Sequence, residues 1–122
     1  MTGLNIMVVD DSQITAKKIR AMLESLGHTV VQTARNGREA VARYAAARPD
    51  MVTMDITMPD MNGIDATREI MAADSCARVV VVTSHGQEEM VRGAMEAGAK
   101  GYILKPFDQE KLRSVLDKIA RM

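Results

Sequence analysis

The stretch "VTMDITMPDMNG", Val52 to Gly63, decides how this chain is read. An apolar run ends in a single acid, Asp55, and a proline and a glycine break the chain within the next eight residues. A buried strand gains nothing from a charge at its tip, because an ionised carboxylate leaves water at a cost unless something pairs with it. The isolated acid points to a site, and the Pro and Gly after it to the end of a strand.

Outward from this stretch the same unit repeats. "LNIMVV", "HTVVQTA", "DMVTMD", "RVVVVTS" and "GYILK" read as five strands. Helical periods lie between them. Ile19, Met22, Leu23 and Leu26 recur at helix spacing, with Gly27 as the stop. "NGREAVARYAAA" opens on Asn36 with Glu39 three residues on, a box-like start. "NGIDATREIMAA" and "QEEMVRGAMEAG" follow the third and fourth strands, the latter stopped near Gly98. Asp108 caps a last helix through Leu112, Val115, Leu116 and Ile119. Val79 to Val82 is apolar on both faces, as expected of a strand covered by helices on both sides. Strict alternation predicts an α/β fold with a five-stranded parallel sheet, doubly wound, (βα)5 and flavodoxin-like, in the order 2-1-3-4-5. Residues 1–122 read as one domain without a linker or low-complexity tract.

In such sheets ligands bind beyond the carboxyl ends of the strands, at the switch point between strands 1 and 3. Strand 1 ends in Asp10 and Asp11, and strand 3 ends in Asp55. Adjacent strands lie about 4.8 Å apart, so these carboxylates crowd one crevice and repel. A hard divalent cation relieves this, and Mg²⁺ suits a site with few protein carboxylates and several waters. Strand 4 ends in Thr83 and Ser84, and strand 5 in Lys105. A lysine arm spans much of the roughly 10 Å between strands 5 and 3. Metal, ammonium and hydroxyl together equip a site for a phosphoryl group, with Asp55 as the nucleophile. Each piece alone is ordinary: two adjacent acids usually mark a loop end, and a Thr-Ser pair usually caps the next helix. Their joint placement carries the argument.

At "VVDDS", "MDITMPDMNG", "VVTS" and "GYILKPF" the chain resembles the receiver domain of bacterial two-component response regulators, nearly end to end. Within that family it is most similar to the single-domain chemotaxis regulators of the CheY type. The resemblance implies that Asp55 is the phospho-acceptor. It implies Mg²⁺ held by Asp11, Asp55 and the backbone carbonyl of Thr57, with Asp10 acting through a water. Lys105 would contact the phosphoryl group and Thr83 would donate its hydroxyl. The backbone N–H groups of Thr57 and Ser84 would complete the cradle. Tyr102 would be the switch aromatic, moving with Thr83, and the Lys105–Pro106 bond would be cis. The chain departs from the enteric form at Thr57 and His85, both beside the path of attacking water, so the phosphoryl lifetime cannot be carried over.

The function expected is a phosphorelay regulator charged by a histidine kinase, acting in chemotaxis or motility. It is not expected to be an enzyme beyond adding phosphate to Asp55 and removing it. A phosphorelay intermediate or phosphate sink is the alternative. An aspartyl-phosphate phosphatase needs a second acid two residues after the nucleophile, where Thr57 stands. Flavin binding finds few aromatics to stack on, with one Phe, two Tyr and no Trp. No DNA-binding segment follows Met122, so the output is expected to be protein–protein contact, for example with a flagellar switch component. The fourth helix, fifth strand and fifth helix would present it, with Met90, Met95 and Lys100 as candidates for the exposed edge. A phosphatase is a further candidate partner.

Composition limits the partners. Sixteen basic and sixteen acidic residues give a formal net charge of zero, which favours neither nucleic acid nor an anionic membrane. No apolar run approaches the ~18 residues of a membrane span, and no signal peptide opens the chain. A lone cysteine, Cys76, and this pattern fit a cytoplasmic monomer. The 11 methionines are read as core filler rather than as a plastic binding surface. His28 is read as surface-facing, His85 as near the site without being a metal ligand, and Glu88 and Glu89 as a solvated helix start.

Overall fold

A computed structural model describes residues 3–122. Its elements alternate without exception: β1 (Asn5–Val9), α1 (Gln13–Ser25), β2 (Thr29–Ala34), α2 (Gly37–Ala47), β3 (Met51–Asp55), α3 (Gly63–Ala73), β4 (Val79–Thr83), α4 (Glu88–Glu96), β5 (Gly101–Leu104) and α5 (Gln109–Ala120). The strands form one sheet in the order β2-β1-β3-β4-β5, every pair parallel. Both match the sequence expectation.

The alternation of side chains along a strand builds two cores from one sheet. Met7, Val9, Val52, Met54, Val79 and Val81 face one way, onto Ala40 and Tyr44 of α2, Ala66 and Ile70 of α3 and Ala94 of α4. Ile6, Val8, Met51, Val80, Val82 and Ile103 face the other, onto Ile19 and Leu23 of α1 and Leu112, Leu116 and Ile119 of α5. Strands β3 and β4 are buried at every position, so their apolar runs need no polar face. Methionine does serve as filler: Met7, Met51 and Met54 are fully buried, and Met22, Met61, Met71 and Met90 pack against the two cores.

Four of the five helices start on a side-chain cap that satisfies a free N–H of the first turn. Ser12, Asn36, Asn62 and Asp108 accept from the N–H groups of Thr15, Glu39, Asp65 and Lys111. Helix α4 is the exception. Gln87 sits at its N-cap and makes no capping hydrogen bond. The ordinary reading of a Thr-Ser pair as a cap for the next helix does not apply to Thr83 and Ser84, because α4 begins farther on, at Glu88.

His28 corrects another expectation. It is buried, and its Nδ1 accepts from the Leu4 N–H at 3.0 Å. Leu4 lies just ahead of β1, where its donor has no strand partner, and the imidazole supplies the acceptor.

The loop after β3 is held by close backbone approaches. The Gly63 N–H donates to the Ile56 carbonyl at 2.8 Å, and the Gly37 N–H donates to the Met61 carbonyl at 2.8 Å. A Cβ on Gly63 would overlap the carbonyl oxygen of Asp55 and crowd the Cα of Ile56, both backbone atoms that cannot swing aside. Gly63→Ala is therefore expected to destabilise the fold by about 2 kcal/mol through overpacking, measured by urea unfolding. An unchanged midpoint would mean that α3 is free to back away from the tip of β3.

Candidate functional site

The site forms where β1 and β3 end side by side. Val9 pairs with Met54, so Asp10 and Asp55 leave the sheet together. Asp10, Asp11 and Asp55 each bring one carboxylate oxygen to within 4.8 Å of the others. Asp10 is 2% exposed, and its Oδ1 accepts from the Ser12 N–H at 2.9 Å. That bond ties the carboxylate to the start of α1 and fixes its direction.

Lys105 enters from β5, two strands from β3, as its reach allows. Its Nζ lies 3.4 Å from Asp10 Oδ2 and 3.7 Å from Asp55 Oδ1. The bond from Lys105 to Pro106 is cis, as the resemblance implied. One ammonium thus lies against two of the three carboxylates, and no second cation joins the cluster among the described residues. Burial is the main force pushing the Asp55 carboxyl up to about 6; Lys105 pulls it down, while Asp10 and Asp11 push it up again. The cluster is short of positive charge. Its donors are all hard carboxylate oxygens, and Asp11 is open to solvent, so a hydrated divalent cation fits the deficit in both charge and ligand type.

Thr83 ends β4 nearly buried at 1% exposure, with Asp55 of β3 paired to its neighbour Val82. The remaining candidates lie on the rim. Thr57, Ser84 and His85 are exposed, and Tyr102 is 53% exposed on β5, turned outward. The sequence reading missed Gln87, which joins these groups. Its Oε1 accepts from the Thr83 hydroxyl at 2.9 Å and from the Ser84 N–H at 2.8 Å. Its Nε2 donates to Thr57 Oγ1 at 2.8 Å. Gln87 reads in sequence as an ordinary first residue of a polar helix start, and only Gly86 before it hints at a turn back toward the strand ends.

Among the described residues, no helix is long and apolar enough to cross a membrane.

Comparison with known proteins agrees with this geometry. Residues 6–117 match the response regulator receiver domain family. The chain is 43% identical over 119 residues to a chemotaxis protein CheY from Thermotoga maritima, covering 98% of this chain and 99% of that one. It is 46% identical over 117 residues to a chemotaxis protein CheY from Treponema pallidum, covering 94% and 79%. Among solved structures, the CheX-CheY-BeF3-Mg complex from Borrelia burgdorferi superposes with a TM-score of 0.91 at 37% identity, covering 97% of this chain and 90% of that one. With the sheet order, the acidic cluster and these likenesses in agreement, the chain belongs to the response regulator receiver domain family, as a CheY-like member of it.

Proposed function

We propose that this protein is a phosphorylation switch in which Asp55 accepts a phosphoryl group from a phosphohistidine on a partner kinase. One observation carries the reading: Asp10, Asp11, Asp55 and Lys105 converge at neighbouring strand ends, an anionic cluster with one fixed cation. An Oδ of Asp55 attacks phosphorus while the P–N bond to the imidazole breaks, and the electron pair stays on that nitrogen. Asp11, Asp55 and the Thr57 carbonyl would hold Mg²⁺, with Asp10 acting through a water. An ion held by these residues would supply positive charge to offset that of the phosphoryl group. Lys105 stays within reach of the transferred group, since its Nζ already stands near Asp55. The Thr83 hydroxyl and the N–H groups of Thr57 and Ser84 would donate to its oxygens.

The acyl phosphate adds charge and acceptor oxygens at the strand ends, and these bias a two-state equilibrium. Thr83 moves toward the phosphoryl group, and Tyr102 turns from its exposed position into the space left behind. The face read by a partner is then α4, β5 and α5, where Met95 is 40% exposed and Lys100 partly so. Met90 instead packs against the core and contributes little to that face. The relatives named for chemotaxis support a role in chemotaxis or motility, with an output protein such as a flagellar switch component. The Borrelia complex, which contains BeF3, Mg and CheX, supports Mg²⁺ as the cation and a protein as the partner. The protein is read as cytoplasmic, monomeric and without catalytic activity on other substrates.

Incubation with radiolabelled acetyl phosphate tests this. Label is expected on the wild type with Mg²⁺ and is expected to fall to background in EDTA. Labelling that ignores the metal would remove the basis of the assignment.

A further inference from the structure

Two of the groups expected to grip the phosphoryl oxygens, the Thr83 hydroxyl and the Ser84 N–H, are already bonded, and to one side chain. Gln87 Oε1 takes one O–H donor, from Thr83, and one N–H donor, from Ser84. An oxygen of an aspartyl phosphate would call on the same two donors. The Nε2 end is anchored separately, on Thr57 Oγ1 of the β3–α3 loop. We infer that Gln87 is a latch: its carboxamide stands in for a phosphoryl oxygen in the uncharged protein, and charging Asp55 must displace it. The inference rests on the phospho-acceptor reading given above.

Three features support a latch over a chance contact. The Thr83 hydroxyl is nearly buried, so without Gln87 it would have only the Ser84 carbonyl at 3.4 Å, a long contact. A buried donor left in that condition is costly, so Gln87 stabilises the uncharged arrangement in particular. Gln87 also holds the N-cap of α4 without capping it, because its side chain is spent on the site. The local rule that N-cap side chains satisfy their own helix is broken here in favour of contacts with β4 and the β3–α3 loop. The route back is supplied by Gly86 at φ 89, a left-handed conformation that side-chain-bearing residues rarely adopt.

The consequence is mechanical. A single side chain joins the phosphoryl donors to the N-cap of the helix on the proposed readout face. When the new oxygens take Thr83 and Ser84, Gln87 loses its acceptor role and the start of α4 is released from the strand ends. Gln87 is thus a positioning residue, setting how far the uncharged protein resists charging.

Beryllofluoride with Mg²⁺, a mimic of the acyl phosphate, provides the test by titration followed in ¹H–¹⁵N NMR spectra of the full chain. Gln87→Ala removes the competitor and is expected to tighten beryllofluoride binding about fivefold, the worth of one ordinary hydrogen bond. Gln87→Glu keeps an acceptor for Thr83 and Ser84 and adds negative charge where the anion must sit, so binding is expected to weaken. A side chain that merely supported the fold would shift both variants in the same direction. The Ser84 amide signal should differ between wild type and Gln87→Ala before addition and coincide at saturation. If the wild type binds and Gln87→Ala binds no more tightly, the latch is wrong while the phospho-acceptor reading stands. If the wild type itself fails to bind with Mg²⁺ present, that reading falls and takes the latch with it.

Discussion

Asp55→Asn is expected to abolish labelling by acetyl phosphate in the presence of Mg²⁺, leaving background alone. The amide keeps the shape of the carboxylate but removes the nucleophilic anion, and nothing nearby replaces it fully. Asp10 is nearly buried, held by the Ser12 N–H and by Lys105, so it is neither free to rotate nor open to a donor. Asp11 is the exposed member of the cluster and the one remaining carboxylate able to meet a phosphodonor. Weak label on the Asp55→Asn protein that disappears on adding Asp11→Asn would identify Asp11 as a secondary acceptor and leave the assignment intact. Full label on the single variant would place the acceptor elsewhere. Lys105 sharpens the result, since its Nζ lies 3.7 Å from Asp55 and 3.4 Å from Asp10. In the Asp55→Asn protein the ammonium keeps Asp10 as partner, so the loss of label is not a side effect of an unpaired, half-buried lysine.

Most of this site is legible in the sequence, for a physical reason. A parallel sheet forces its strands to end on one side, and apolar runs mark where each strand ends. Asp10, Asp55, Thr83 and Lys105 close or directly follow such runs, so topology alone brings them together. Caps at Asn36 and Asp108 are equally readable, because a cap is a local bond spanning three residues. What escapes depends on contacts between segments distant in sequence. His28 looks like a surface residue at a strand start, and only the position of the Leu4 N–H turns it inward. Gln87 looks like a polar helix start, and its bond to Thr57 spans 30 residues. Periodicity carries no signal for such pairings. The failure at α4 is informative in the same way: the one helix whose start breaks the capping rule is the one whose N-cap residue is engaged by the site. Local rules fail where another function claims the side chain.

The burial of the Asp55 carboxylate beside two other acids should also be visible in stability, and here the same Asp55→Asn variant is expected to be more stable than wild type. In the metal-free protein the Asp55 carboxyl is raised from 3.8 to about 6, chiefly by burial, and further by Asp10 and Asp11 against the pull of Lys105. A carboxyl with a raised folded-state pKa binds its proton more tightly folded than unfolded. Its favourable contribution is complete below about pH 4 and is lost as pH rises through about 6. Above that range the folded state holds an ionised group that the unfolded chain would solvate better. Raising a carboxyl by that much corresponds to roughly 3 kcal/mol. In EDTA, urea unfolding at about pH 7.5 should therefore find Asp55→Asn about 3 kcal/mol more stable than wild type, with the gap closing toward about pH 4. Mg²⁺ at the higher pH should stabilise the wild type and narrow the gap, because the cation would compensate the buried negative charge that the substitution removes. A gap that stays constant across that pH range would show that Asp55 titrates normally, and that Lys105 alone neutralises the pocket without help from a metal.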